Sequence, residues 1–230
     1  MSQHFSLQDG ALVVERLIET IEAHKVYLSE IDGAIGDGDH GINMAKGFSQ
    51  AGARIRSRTG PVALPLALED LALTLLEGIG GSMGPLYGGF FLAFSETLEG
   101  HDFMGAPLFL KALEAGTAAV QEVGGAEVGD KTLMDTLIPA LEIYRAALTG
   151  GESFESCLEQ MVQAARVGWE STRDMQARIG RASRLGARSI GVLDAGATSC
   201  FLILECMTGS ILQGLASAKG LSEKRSEFAP

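Results

Sequence analysis

Eight stretches of this chain repeat apolar residues at three- and four-residue steps, and dense patches of glycine separate several of them. That alternation constrains the fold more than any other feature. A helix that is apolar along one stripe must bury the stripe against a neighbour, so eight such segments need a shared core. The segments cover approximately residues 7–29, 42–58, 66–79, 85–98, 106–123, 131–148, 153–171 and 196–215. Leu12, Leu17, Ile18, Ile21 and Val26 form one such stripe. Alternating runs of Val, Ile and Thr are scarce, so the pattern predicts an all-α fold whose short connections favour antiparallel neighbours. Residues 182–193 leave room for a strand or two. No internal repeat or interdomain linker interrupts the 230 residues, which predicts a single domain over 1–230. The polar tail, 219–230, is expected to fray.

Composition narrows the function. The net charge of −11 disfavours binding to phosphate backbones or anionic lipid, so nucleic-acid and membrane roles are not expected. Cys157, Cys200 and Cys206 form neither a zinc pattern nor a disulfide framework and read as core residues of a chain in a reducing compartment. The N-terminus lacks the basic flank and apolar run of a signal peptide. The longest apolar stretch, 198–216, carries Glu205 and Gln213 and reads as a buried helix rather than a membrane span. A cytoplasmic protein is expected. Glycine is the outlier: 30 of 230 residues is nearly twice the usual share of about 7%.

Where the glycines fall matters more than their number. They concentrate with acidic and basic residues in four interhelical segments, 31–43, 78–84, 124–135 and 180–198. In an up-and-down bundle alternate loops share one end, so a site built from several of these would sit at one rim. The sharpest of the four holds Asp32, Asp37 and Asp39 within eight residues, with His40 and Asn43 beside them. Carboxylate oxygens are hard ligands suited to Mg²⁺ or Ca²⁺, and interleaved glycines let the backbone bring them together. A solvated acidic turn, with Asp39 or Asn43 capping the next helix, is the plainer alternative. The string from Gly36 to Gly41 fits a dinucleotide fingerprint in spacing, but no strand precedes it. An EF-hand starting at Asp37 fails because Ile42 and Phe48 stand where it needs glycine and glutamate.

Two further segments suit phosphate. Gly80, Gly81, Ser82 and Met83 precede a helix and expose backbone N–H groups of the kind that hold anions, although a plain glycine cap followed by Pro85 has the same pattern. Arg178, Arg181, Arg184 and Arg188 would share one face if their segment were helical, either as a clamp on a transferring phosphoryl group or as a solvated basic face. Asp194 and Gly196 lead into the last helix, and Asp130 is placed to cap the helix after Lys131. A cation site, phosphate amides and an arginine clamp are the parts of a phosphoryl-transfer site built without a P-loop.

These blocks together resemble the dihydroxyacetone kinase L-subunit family (DhaL). The resemblance rests on Asp32 with Gly36-Asp37-Gly38-Asp39-His40-Gly41, on Gly80 through Gly88, on Val128-Gly129-Asp130-Lys131-Thr132, on Gly180-Arg181-Ala182-Ser183, and on Gly186 through Ser199. It implies an eight-helix antiparallel up-and-down barrel with the nucleotide site formed by loops at one end. It implies ADP or ATP held through two Mg²⁺ ions, with Asp32, Asp37 and Asp39 as metal ligands. By position the nucleotide contacts carry over to His40, Gly41, Ile42, Asn43, Ser82, Met83, Gly124, Leu133, Arg181, Asp194, Ala195 and Gly196, with Arg181 as the catalytic candidate. The implied partners are a DhaK-like subunit that holds the sugar and a DhaM-like phosphotransferase-system donor. The chain departs from the family pattern at Met83, where a serine is usual, at Ala195, where a proline is usual, and at Val192-Leu193, where a His-Gln pair is usual. These changes point to a looser loop and to a related ketose, such as a tetrulose, as an alternative to dihydroxyacetone. A nucleotide-sensing module without turnover is the competing functional reading.

Overall fold

The computed structural model describes residues 4–8 and 10–227, with side chains as far as residue 218, so the side chains of the tail expected to fray, 219–230, lie outside the described residues. Among the described residues nine α-helices carry the fold: α1 (Ala11–Ala23), α2 (Lys25–Ile35), α3 (His40–Arg56), α4 (Leu64–Gly78), α5 (Met83–Leu98), α6 (Ala106–Gly124), α7 (Met134–Thr149), α8 (Phe154–Ser171) and α9 (Ala195–Glu227). Helices α1 and α2 follow one another as a single bent stave. The break lies at His24, whose ring Nδ1 donates to the Thr20 carbonyl at 2.8 Å and caps the end of α1. The bend resets the helical register. Val13, Val14, Leu17, Ile18 and Ile21 are buried in α1, whereas Leu12 and Val26, expected on the same stripe, face solvent.

Counted this way there are eight staves, and their packing closes a ring: α1 on α3, then α3 on α4 and so on in chain order, until α9 returns to α1. Consecutive staves are antiparallel neighbours, as the sequence predicts, and their connections are short except between α8 and α9, where residues 172–194 intervene. A buried aromatic chain runs through the core from Phe48 on α3 to Phe91, Phe90 and Phe94 on α5, then Phe109 on α6 and Tyr144 on α7. Successive ring centroids lie 5.0–6.1 Å apart, the range in which tilted and edge contacts are favourable. Helix α9 is long and apolar enough to cross a membrane by composition, but it is a core stave, with 72% of its apolar window buried.

Local chemistry sets the helix starts. Proline occupies the first turn of α4 and α6, where a missing N–H costs nothing, and Ser153 caps α8 by accepting from the Ser156 amide at 3.1 Å. The only sheet among the described residues pairs β1 (Phe5–Ser6) with β2 (Phe103–Met104) at the end opposite the acidic loop. Residues 182–193 form no strand. Most of the segment is a 3-10 turn over Arg181–Ser189, kinked at Gly186. At the far end, Asp70 on α4 is fully buried and accepts from Arg58 at 2.5 and 2.8 Å and from Arg54 at 2.8 Å, tying α4 to the end of α3.

Candidate functional site

All four glycine-rich segments lie at one end of the barrel, because each connects an odd stave to an even one. That end also receives the N-termini of α3, α5, α7 and α9. Aligned peptide dipoles and unpaired N–H groups make such termini favourable to anions.

The acidic cluster straddles the first of these connections. Asp32 sits on the last turn of α2 rather than in a loop, and only Gly36 to Asp39 connect it to α3. Gly38 takes φ +79°, a left-handed conformation that reverses the chain between the two helices. A Cβ at Gly36 would collide with the Asp32 carboxylate. These two glycines let Asp32, Asp37 and Asp39 converge until one oxygen from each lies within 4.8 Å of the others. Asp39 stands at the N-cap of α3 yet makes no side-chain capping bond, so the capping alternative does not account for it. Asp32 instead takes the first amide of α3, accepting from His40 N at 3.2 Å. Three hard carboxylate donors this close repel one another unless a cation joins them, and the donor set fits Mg²⁺.

Behind the cluster, His40 is buried and its Nε2 lies 2.9 Å from Ser199 Oγ. Ser199 Oγ is 2.6 Å from the Tyr87 hydroxyl, and Tyr87 donates to the Gly196 carbonyl at 3.1 Å. This polar chain ties the start of α3 to the N-terminal ends of α5 and α9. Burial pulls the His40 imidazole down to about 4, against a smaller opposing pull from Asp32, so the ring is neutral near pH 7. Burial likewise drives the Tyr87 phenol upward.

The turn into α9 is held as tightly. Asp194 accepts from Ala197 N at 2.7 Å, Thr198 Oγ1 donates to the Asp194 carbonyl at 2.7 Å, and Trp169 Nε1 donates to Thr198 Oγ1 at 2.9 Å. Burial raises the Asp194 carboxyl to about 6, although the Ala197 amide and Lys131 pull it the other way. Leu133 lies against Gly196, and Gly124 lies against Leu86 in the first turn of α5. Ser82 stands at the N-cap of α5 beside Met83, with open space over Gly80 and Gly81. Ile42 and Asn43 occupy the first turn of α3, next to Gly41.

The arginines do not share a helical face, because the 3-10 segment is too short and too kinked to align them. Arg178 lies outside it and pairs loosely with Asp130 at 3.9 Å. Arg181 alone reaches the acidic cluster, where its guanidinium pairs with Asp37. Asp130 is not the cap expected for the following helix. Asp135, one turn further on, takes the loop amides of Gly129 at 2.5 Å and Thr132 at 2.7 Å, and α7 accordingly starts at Met134.

Sequence reasoning missed Tyr87 and Ser199 as partners of His40, and it missed Lys131. The signal for Lys131 was weak: a lysine in a glycine-rich loop gives no sign of being buried. Cys157 and Cys200 are buried, as expected of core residues, and burial raises their thiols, whereas Cys206 is only half-buried at the edge of the core. An open groove of about 1040 Å³ runs along α7 and α8 past Val128, Ile143 and Val167, and its lining shares no residue with the expected site.

The DAK2 domain family matches residues 34–209. An ADP-binding subunit DhaL of a PEP-dependent dihydroxyacetone kinase from Listeria innocua is 35% identical, over 90% of this chain and 94% of that protein. The ADP-binding subunit DhaL of a PTS-dependent dihydroxyacetone kinase from Lactococcus lactis is 39% identical, over 82% of this chain and 90% of that protein. Among solved structures, the dihydroxyacetone kinase from C. freundii in complex with AMP-PNP and Mg²⁺ superposes with a TM-score of 0.65 at 25% identity. That match covers 87% of this chain and about a third, 33%, of the larger kinase.

Proposed function

The chain belongs to the DAK2 domain family, among the dihydroxyacetone kinase L subunits, and on that premise we propose that it is the nucleotide-binding subunit of a ketose kinase. In this reading residues 1–230 act as one domain in the cytoplasm, and phosphoryl transfer to a small hydroxyketone takes place with the sugar held by a separate K subunit. The observation that carries the proposal is the convergence of Asp32, Asp37 and Asp39 beside Arg181, at the end where four helix N-termini meet.

Asp32, Asp37 and Asp39 would hold Mg²⁺. When bound, the ion supplies positive charge against the phosphates. The chain's own residues do the rest. Amides of Gly41, Ile42 and Asn43 at the start of α3, and of Ser82 and Met83 at the start of α5, donate to phosphate oxygens. His40, held neutral and oriented by Ser199 and Tyr87, offers a ring nitrogen without adding charge. Gly124, Leu133 and the Asp194-Ala195-Gly196 turn wall the remaining side. Arg181, more than half exposed, exchanges its contact with Asp37 for the charge that develops on the transferring group.

The names of the relatives support ADP as a retained coenzyme, recharged by a DhaM-like donor that draws on PEP. The departures at Met83 and Ala195 leave a tetrulose as open a substrate as dihydroxyacetone. Mixing the chain with a DhaK-like subunit, dihydroxyacetone or a tetrulose, Mg²⁺ and ATP tests the proposal, with phosphorylated PTS donor in a parallel reaction. Sugar phosphate that forms only when both chains are present is the expected result. No product from either donor or either sugar, with a K subunit proven active alongside its own L subunit, overturns it.

A further inference from the structure

Lys131 stands out from its surroundings. It is only 2% exposed, and among the described residues it is the one non-glycine with a positive φ, +65°. A side chain in that conformation is strained and persists only where its surroundings hold it. A buried ammonium also needs every donor satisfied. All three are: Nζ donates to the carbonyls of Ser189 at 2.6 Å, Val192 at 2.6 Å and Met175 at 3.1 Å. None of these partners is a carboxylate. Burial lowers the ammonium's pKa, and the more distant charges of Asp194 and Asp174 oppose the shift.

The three carbonyls are not a random set. Met175 enters the excursion that carries Arg178 and Arg181, whereas Ser189 and Val192 leave it. One nitrogen atom therefore ties both ends of the loop, in the manner of an Ω-loop closed at its base. Gly191 N donates to Arg173 O at 2.7 Å and Ala177 N to Ser189 Oγ at 2.9 Å, closing the same neck. Arg178 N donates to Asp130 O at 3.2 Å, which fixes the loop to the residue beside Lys131. Arg181 projects from this anchored loop across to Asp37.

We propose that Lys131 is a positioning residue: its ammonium pins the base of the arginine-bearing loop and thereby places Arg181 over the acidic cluster. The proposal rests on the reading of that cluster as the Mg²⁺-nucleotide site. Replacing Lys131 by an apolar residue leaves three carbonyls without their shared donor, so the neck opens and the Arg181 guanidinium loses its fixed reach.

A double-mutant cycle on ADP affinity, measured calorimetrically in excess Mg²⁺, tests this. Lys131→Met is expected to weaken ADP about tenfold, and Arg181→Ala by at least as much. The double variant is expected to bind no worse than Arg181→Ala alone, because Lys131 acts through the arginine. A general loss of stability would not produce that non-additivity in folded protein. Lys131→Gly, which adopts the positive φ without strain, repeats the test if the methionine variant does not fold. Additive losses overturn the proposal, as does an unchanged affinity in the single variant, or failure of both Lys131 variants to fold. Asp37→Asn separates the two readings. If it leaves ADP binding intact the site assignment itself falls; if it abolishes binding while Lys131→Met changes nothing, only the role of Lys131 falls.

Discussion

Asp194→Asn should change the pH dependence of stability by an amount that follows from the burial of the carboxylate. In the native chain its pKa is raised to about 6, with desolvation the largest cause, whereas an unfolded aspartate titrates near 3.9. Above pH 6 both states are ionised and the native state bears the cost of a buried charge. Below about pH 4 both are protonated and that cost vanishes. Between the two, the native state keeps a proton that the unfolded state releases, so stability rises as pH falls. A shift of about two units at 1.36 kcal/mol each makes the full change about 3 kcal/mol. His40 acts in the opposite sense. Its ring is held neutral down to about 4, so unfolding takes up a proton between about pH 6.5 and 4, and stability falls over that range. In the wild-type curve the two effects nearly cancel, which is why the difference between proteins is the informative quantity. Urea unfolding of metal-free wild type and Asp194→Asn, at half-unit steps from pH 7 to 4, isolates the aspartate. Wild type should gain about 3 kcal/mol on the variant as pH falls, with most of the change between pH 6 and 4. A difference that stays flat, or that runs the other way, would refute the desolvation argument.

Two other substitutions probe how the site is held. Tyr87→Phe removes the hydroxyl that bridges Ser199 and the Gly196 carbonyl; it should cost about 1–2 kcal/mol in denaturant unfolding and weaken ADP severalfold through a less firmly oriented His40. Gly36→Ala drives a Cβ against the Asp32 carboxylate and displaces it while leaving all three carboxylates in the chain; it should raise the Mg²⁺ requirement for ADP binding about tenfold, read by titrating Mg²⁺ at fixed nucleotide, while the unfolding midpoint barely moves.

The fold was legible because helices of this amphipathicity announce themselves, and because connectors that are short in all but one case leave few ways to arrange eight of them. The register of α1 was not legible throughout. Val26 continues the apolar spacing, but the bend at His24 turns it to solvent, and a local capping bond leaves no periodic trace; Leu12, before the bend, simply lies off the face of α1 that Val13, Leu17 and Ile21 bury. The acidic cluster was legible because three carboxylates and their glycines are local in sequence. The polar chain from His40 through Ser199 to Tyr87 was not, since His40 and Ser199 lie 159 residues apart and meet only when the ring of staves closes. Lys131 shows the same limit, because its carbonyl partners carry no side-chain signature. The four arginines misled for the opposite reason: their spacing was helical, but Gly180 and Gly186 both take positive φ and break the segment.

The central claim is that Asp32, Asp37 and Asp39 form a cation site through which the chain holds a nucleotide. Calorimetric titration of ADP into the purified chain, with Mg²⁺ and with chelator, and repeated on Asp37→Asn, tests it most directly. The account predicts about one ADP bound per wild-type chain in Mg²⁺, binding at least a hundredfold weaker in chelator, and the same loss in the variant even with Mg²⁺ present. Equal ADP affinity with and without Mg²⁺, or an Asp37→Asn variant indistinguishable from wild type, would contradict it.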